Sequence, residues 1–174
     1  MAPVAHNEDV LTRPENLRLV YAADPLPEEA SVFLAGPTPR SDDVPPWRPA
    51  AVRELAAQWH GPGPLAVILP EPPGGQRWPY FDEQAEWETV ARQAATAILF
   101  WIPRDVRTLP GFTTNVEFGL DVTTGRAVLG CPPDCPSPEH NRYLIWLARR
   151  HGVPVTATLP ATVAAALALI AGAP

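Results

Sequence analysis

Lysine is absent: all 13 basic residues of this 174-residue chain are arginine. That excludes a P-loop or kinase lysine and a Schiff base to pyridoxal phosphate. Serine is nearly as scarce, with only Ser31, Ser41 and Ser137, none of them in a G-x-S-x-G elbow. No G-x-G-x-x-G follows an apolar run, so a dinucleotide fingerprint is missing as well. The most apolar stretch, residues 162–171, is about half the ~20 residues a membrane span needs. A net charge of −6 argues against nucleic acid polymers and anionic membranes as partners. The first residues have neither a basic nor an apolar signal region, so a cytoplasmic protein is expected.

Cysteine is limited to Cys131 and Cys135, with His140 and His151 downstream. A zinc site would need all four, and their spacing matches no common finger. The expectation is therefore two reduced thiols and no metal.

What is present suits one globular domain. About a quarter of the residues are Leu, Ile, Val or Phe, enough for a core, and 24 prolines with 11 glycines imply stiff, abundant loops. Residues 1–16 read as a loose polar arm and 17–174 as the domain. Short apolar runs at 17–22, 32–35, 65–69, 97–102, 127–129 and 153–156 predict strands. Helices are expected at 47–59, 81–94, 114–124, 139–150 and 161–171. An apolar stripe of Trp87, Val90, Ala91 and Ala94 is assigned to the second helix, and Gly125 is expected to close the third. The alternation implies an α/β fold, a three-layer flavodoxin- or Rossmann-like sandwich with a largely parallel sheet. Ligands of such folds bind beyond the carboxyl ends of the strands. Three long loops fall there, at 36–46, 70–80 and 103–113.

The chemistry available is that of carboxylates. Glu117 lies in TTNVEFG, where Thr114-x-x-Glu117 is also a capping box, and spacing alone favours the cap. The segment Asp82–Glu88 packs four carboxylates into one helix start, mostly as a solvated acidic turn. Glu86 and Glu88 flank Trp87, so at least one of the two borders the sheet edge. Two carboxylates converging from two helices suit retaining glycosyl transfer.

Three segments in order carry a resemblance: VFLAGPTPR followed by Trp47-Arg48, then EWE…AILFWIPR, then TTNVEFG…TTGRAVLG. Over residues 30–150 the chain resembles the nucleoside 2-deoxyribosyltransferase-like family. The resemblance implies a flavodoxin-like sandwich that cleaves the N-glycosidic bond of a (deoxy)nucleoside or its 5′-monophosphate. Transfer and hydrolysis are both open, and no cofactor is required. Glu117 matches the nucleophile, and Glu88 or Glu86 the acid that contacts the base. Gly119 then lets the helix pack closely under the sugar. Gly36, Thr38 and Arg40 match the loop facing the sugar and phosphate. Trp78, Tyr80 and Phe112 offer rings for the base, and Arg104 and Thr114 complete the expected substrate contacts. Asn141 matches an asparagine inserted into a neighbouring subunit's site, with a helix N-cap as its other reading. A homodimer or higher homo-oligomer follows from the same resemblance. Gly111 stands where better-known transferases carry an aspartate. That departure motivates the alternative, a catalytically silent nucleotide-binding sensor or partner module; a purely structural interaction protein is a third reading.

Overall fold

Successive side chains of a strand point to opposite faces of the sheet, and here both sets are apolar. In Ala97–Trp101 (β4), Ala97, Leu99 and Trp101 join one core, while Ile98 and Phe100 join the other. The computed structural model describes residues 14–41, 43–73 and 80–173. The other strands are Leu17–Tyr21 (β1), Ser31–Ala35 (β2), Leu65–Leu69 (β3), Ala127–Gly130 (β5) and Val155–Thr156 (β6). They form one six-stranded sheet in the order β1-β3-β2-β4-β5-β6, with every pairing parallel. Such double-sided burial is why the strands read as unbroken apolar runs.

Helices cover both faces. Arg48–Gln58 (α1) and Leu159–Ala171 (α5) pack on one through Ala51, Val52, Leu55, Val163, Ala166 and Ile170. Phe81–Ala94 (α2), Phe112–Asp121 (α3) and Arg142–Arg150 (α4) cover the other. The chain is thus the α/β three-layer sandwich expected. α4 is preceded by a 3-10 turn at Pro138–Asn141, so the predicted helix from residue 139 is one turn of tighter coil followed by α-helix. Gly125 does adopt a left-handed φ of 73°, but α3 has ended at Asp121, so this glycine turns the chain into β5. Of the expected polar arm, residues 14–16 are described, and Asn16 fastens to the end of α1 by donating to the Ala56 and Trp59 carbonyls. No helix among the described residues is long and apolar enough to cross a membrane.

From β2 the chain crosses through α1 to β3 on one side, and from β4 through α3 to β5 on the other. The connections therefore diverge between the neighbours β2 and β4, which opens a crevice at their carboxyl ends. Gly36 forms its floor. A side chain there would collide with the Trp101 carbonyl and come within 2.7 Å of the Trp47 ring, so only glycine lets loop 36–46 leave the sheet at that point. Gly36→Ala should cost about 1–3 kcal/mol in urea denaturation, the usual range for overpacking.

Candidate active site

Strand β2, helices α1, α2 and α3 and the loops after β2, β3 and β4 meet at the crevice and line an open cavity of about 500 Å³. Its walls are held by buried arginines. Arg48 opens α1 and is directed back over the sheet end, where it donates to the carbonyls of Leu34 (3.2 Å) and Gly36 (2.8 Å). Its Nη1 also reaches Thr38 Oγ1 (3.2 Å) and Glu71 Oε1 (2.6 Å), tying the loop after β2 to the loop after β3. The indole of Trp47 donates to the Pro37 carbonyl and fixes the same loop.

The opposite wall is made by α2 and α3. Arg92 of α2, 5% exposed, pairs with Glu117 Oε1 at 3.1 Å and with Asp121 Oδ2 at 2.8 Å. Glu88 lies one turn earlier on the same helix and accepts from Gln84 at 2.7 Å; Gln84 also donates to the Pro70 carbonyl. Arg126 caps the end of α2 by donating to the carbonyls of Arg92, Gln93 and Ala95. Phe118 and Ala91 anchor the two helices in the core below.

The electrostatics separate the two acids. Burial raises Glu117 above the ordinary carboxylate range, while Arg92 and then Arg48 oppose that rise. Burial is also the main cause for Glu88, which is pushed up to about 7 against its Gln84 hydrogen bond, with the Glu117 charge adding to the rise. Near neutrality Glu88 therefore holds a proton part of the time, whereas Glu117 has an ion-pair partner.

The structure places Glu117 and Glu88 on the cavity wall, along with Gly36, Thr38 and Arg40. Phe112 and Thr114 line it too, Thr114 buried and Phe112 with a mostly exposed ring under the Arg40 guanidinium. The other expected residues lie elsewhere. Glu86 is exposed and off the wall, because a residue two positions from Glu88 on a helix points well away from it. Tyr80, at the N-cap of α2, is exposed outside the cavity, and Trp78 lies outside the described residues. Arg104, 2% exposed, sits behind the wall: it donates to Asn141 Oδ1 (2.9 Å), to Asn115 Oδ1 (2.7 Å) and to the Pro110 carbonyl. Asn141 is buried in that knot and donates to the Ile102 carbonyl, so it neither caps α4 through its side chain nor reaches outward.

Three local expectations are corrected. The capping box does not form: α3 begins at Phe112 with Gly111 as N-cap, so Thr114 is already inside the helix and Glu117 turns to Arg92. Gly119 does not serve close packing; it is exposed, and a side chain there would meet nothing within 4 Å. The stripe assigned to α2 is also rotated, since Val90 and Ala94 are exposed while Gln84, Glu88, Ala91 and Arg92 face inward. Arg48, Arg92, Glu71 and Asp121 were not anticipated as parts of the site. Glu88 and Arg92 recur at helical spacing on the line of Ala91 and Ala95, which was the available signal.

Cys131 and Cys135 are free and buried, and His140 and His151 are exposed. Among the described residues no three His, Cys, Asp or Glu side chains are grouped to hold a metal.

The family pattern for nucleoside 2-deoxyribosyltransferase-like proteins matches residues 29–135, more than half of the chain. The chain belongs to that family. Membership associates it broadly with glycosyl transfer on nucleosides. Curated proteins gave no match.

Glu88 binds its proton more tightly in the folded chain than in the unfolded one. Its favourable contribution is complete below about pH 4.5 and is lost as pH rises through about 7. Glu88→Gln should therefore stabilise the protein at pH 8, on the order of 2 kcal/mol, and change little at pH 4, as read by denaturation at both values. Gly119→Ala, on an open helix face, should stabilise by about 0.5–1 kcal/mol.

Proposed function

We propose that the protein cleaves or transfers at the N-glycosidic bond of a (deoxy)nucleoside or nucleoside 5′-monophosphate. The observation that carries this reading is the pairing of an arginine-held Glu117 with a proton-holding Glu88 on one cavity wall. Glu117 attacks C1′ and forms an ester as the C1′–N bond breaks through an oxocarbenium-like state. The electron pair of that bond leaves with the base, which takes the proton of Glu88. Water or a second base then attacks C1′, the C1′–O bond to Glu117 breaks with its electron pair returning to the Glu117 carboxylate, and the Glu88 carboxylate accepts the proton of the incoming nucleophile.

Phe112 and Phe81, both exposed and lining the cavity, offer faces for the base. Among the described residues Arg40 is the cavity arginine without a carboxylate partner, and α3 begins beside it with no acid in its first turn. Both favour an anionic group at that end of the cavity, as in a 5′-phosphate. The chain is further proposed to act as a homo-oligomer, with the exposed ridge of Phe112, Val116 and Leu120 at the interface, and in the cytoplasm.

The second reading, a silent nucleotide-binding module, rests on Gly111. Its φ is 61°, a conformation that side-chain-bearing residues rarely adopt, and a Cβ added there would stand 3.0 Å from Arg104 Nη1, so the guanidinium would have to yield to an acidic side chain.

Incubation with a panel of nucleosides and 5′-monophosphates, followed by chromatography of free base, separates the two. Turnover is expected, abolished by Glu117→Ala and reduced about 100- to 10,000-fold by Glu88→Gln. Thermal stabilisation by a nucleotide with no base release would instead establish the silent module. In the active case kcat/KM should fall as pH passes about 7, where Glu88 loses its proton. Arg40→Ala should weaken turnover of monophosphates more than that of nucleosides. Sedimentation equilibrium reads the oligomeric state, and a monomer would remove that part of the proposal.

A further inference from the structure

Arg92 touches two acids of the same helix. Glu117 and Asp121 are one turn apart on α3, and the guanidinium meets them with different nitrogens, Nη1 at 3.1 Å and Nε at 2.8 Å. Asp121 is itself buried and does not line the cavity, whereas Glu117 does. One contact thus faces the core and the other faces the site. A pair serving only to join α2 to α3 would be complete with Asp121 alone. The second contact brings Nη1 to Glu117 Oε1, and no hydrogen bond from a described residue is made to Oε2. A planar guanidinium can fix two carboxylates at set angles, which a lysine ammonium, a single point charge, cannot.

We infer that Arg92 is a positioning residue for the Glu117 nucleophile: anchored by Asp121, it pins Oε1, so that Oε2 is the oxygen presented to C1′. The inference rests on the reading of Glu117 as nucleophile.

The groups bearing on the Glu117 carboxyl come from three helices. Arg92 and Glu88 belong to α2, Arg48 to α1 and Asp121 to α3. Of these, Arg92 is the strongest influence favouring the ionised form, with Arg48 second and Asp121 opposing them. Removing Arg92 therefore makes Glu117 harder to ionise, and the nucleophile becomes available only at higher pH. A merely structural Arg92 would lower activity equally at every pH.

The experiment compares wild type, Arg92→Gln, Arg92→Lys, Asp121→Asn and the double variant Arg92→Gln/Asp121→Asn in the full chain. Glutamate is carbon-13 labelled at its carboxyl, the Glu117 signal is assigned by its loss in Glu117→Gln, and its titration is followed by NMR. Arg92→Gln should raise the Glu117 midpoint by about one pH unit, a tenfold gain in proton affinity. Arg92→Lys should recover part of that shift. The rising limb of kcat/KM against pH should move up by the same amount, with kcat down about 100-fold and KM nearly unchanged. If Arg92→Gln leaves two buried acids too unstable to fold, the double variant compared with Asp121→Asn isolates the same effect, because both lack the Asp121 charge. An unchanged midpoint in a folded Arg92 variant overturns the inference. If wild type releases no base from any substrate, the glycosidic reading falls, while the titration still decides whether Arg92 controls Glu117.

Discussion

The carboxyl edge of the sheet is held by guanidinium groups. Arg48 ties the loop after β2 to the loop after β3, Arg92 ties α2 to α3, and Arg104 ties the loop after β4 to the start of α3 and to the turn before α4. Each is 5% exposed or less, and each meets at least three partners or two acids. In a low-dielectric setting an unpaired cation is costly, so each guanidinium needs its partners in place. The planar fork of arginine satisfies carbonyls and carboxylates at once, and a chain with no lysine has committed its buried cations to that geometry.

This construction separates rigidity from chemistry. Arg48 and Arg104 spend their hydrogen bonds on carbonyls, Thr38, Glu71 and asparagines, so they shape the cavity without being free to bind within it. Arg92 alone reaches across to Glu117. The cost of the arrangement falls on Glu88, which is largely buried with a hydrogen bond from Gln84 and, among the described residues, no cation in contact, so ionising it works against folding. An acid kept partly protonated near neutrality is useful as a proton donor and mildly destabilising for the same reason.

The fold was legible because its strands are buried on both faces. The runs VFLA, LAVIL and AILFW allow no alternating reading, and the prolines and glycines between them mark the loops that turn out to border the crevice. Legibility failed where function reverses the ordinary pattern. On α2 the inward line is Gln84, Glu88, Ala91 and Arg92, so a search for an apolar stripe rotated the helix toward Val90 and Ala94, which face solvent. The Thr114–Glu117 spacing has a local explanation, a cap, that is lost to a tertiary one, because Arg92 offers Glu117 a charge where the backbone offers only an amide. Arg104 and Asn141 carry polar side chains beside the right loop, yet nothing in their order along the chain reveals that they bond to each other.

Helices α2 and α3 each carry core and site residues on neighbouring faces. Ala91, Ala95, Phe118 and Val122 fill the core, Glu88, Arg92 and Glu117 look into the crevice, and Asp121 meets Arg92 from the buried side. The apolar layer fixes how far the two helices stand apart, and that distance decides whether one guanidinium can span both acids of α3. The chemistry of the wall is thus set by packing several ångströms beneath it. A change of size at Phe118, whose ring meets Phe100 edge-on at 5.1 Å, alters the packing directly beside Glu117 and so bears on the acid as well as on core volume. The ion pair across the boundary makes the acids sensitive to the core, and makes the core part of the site.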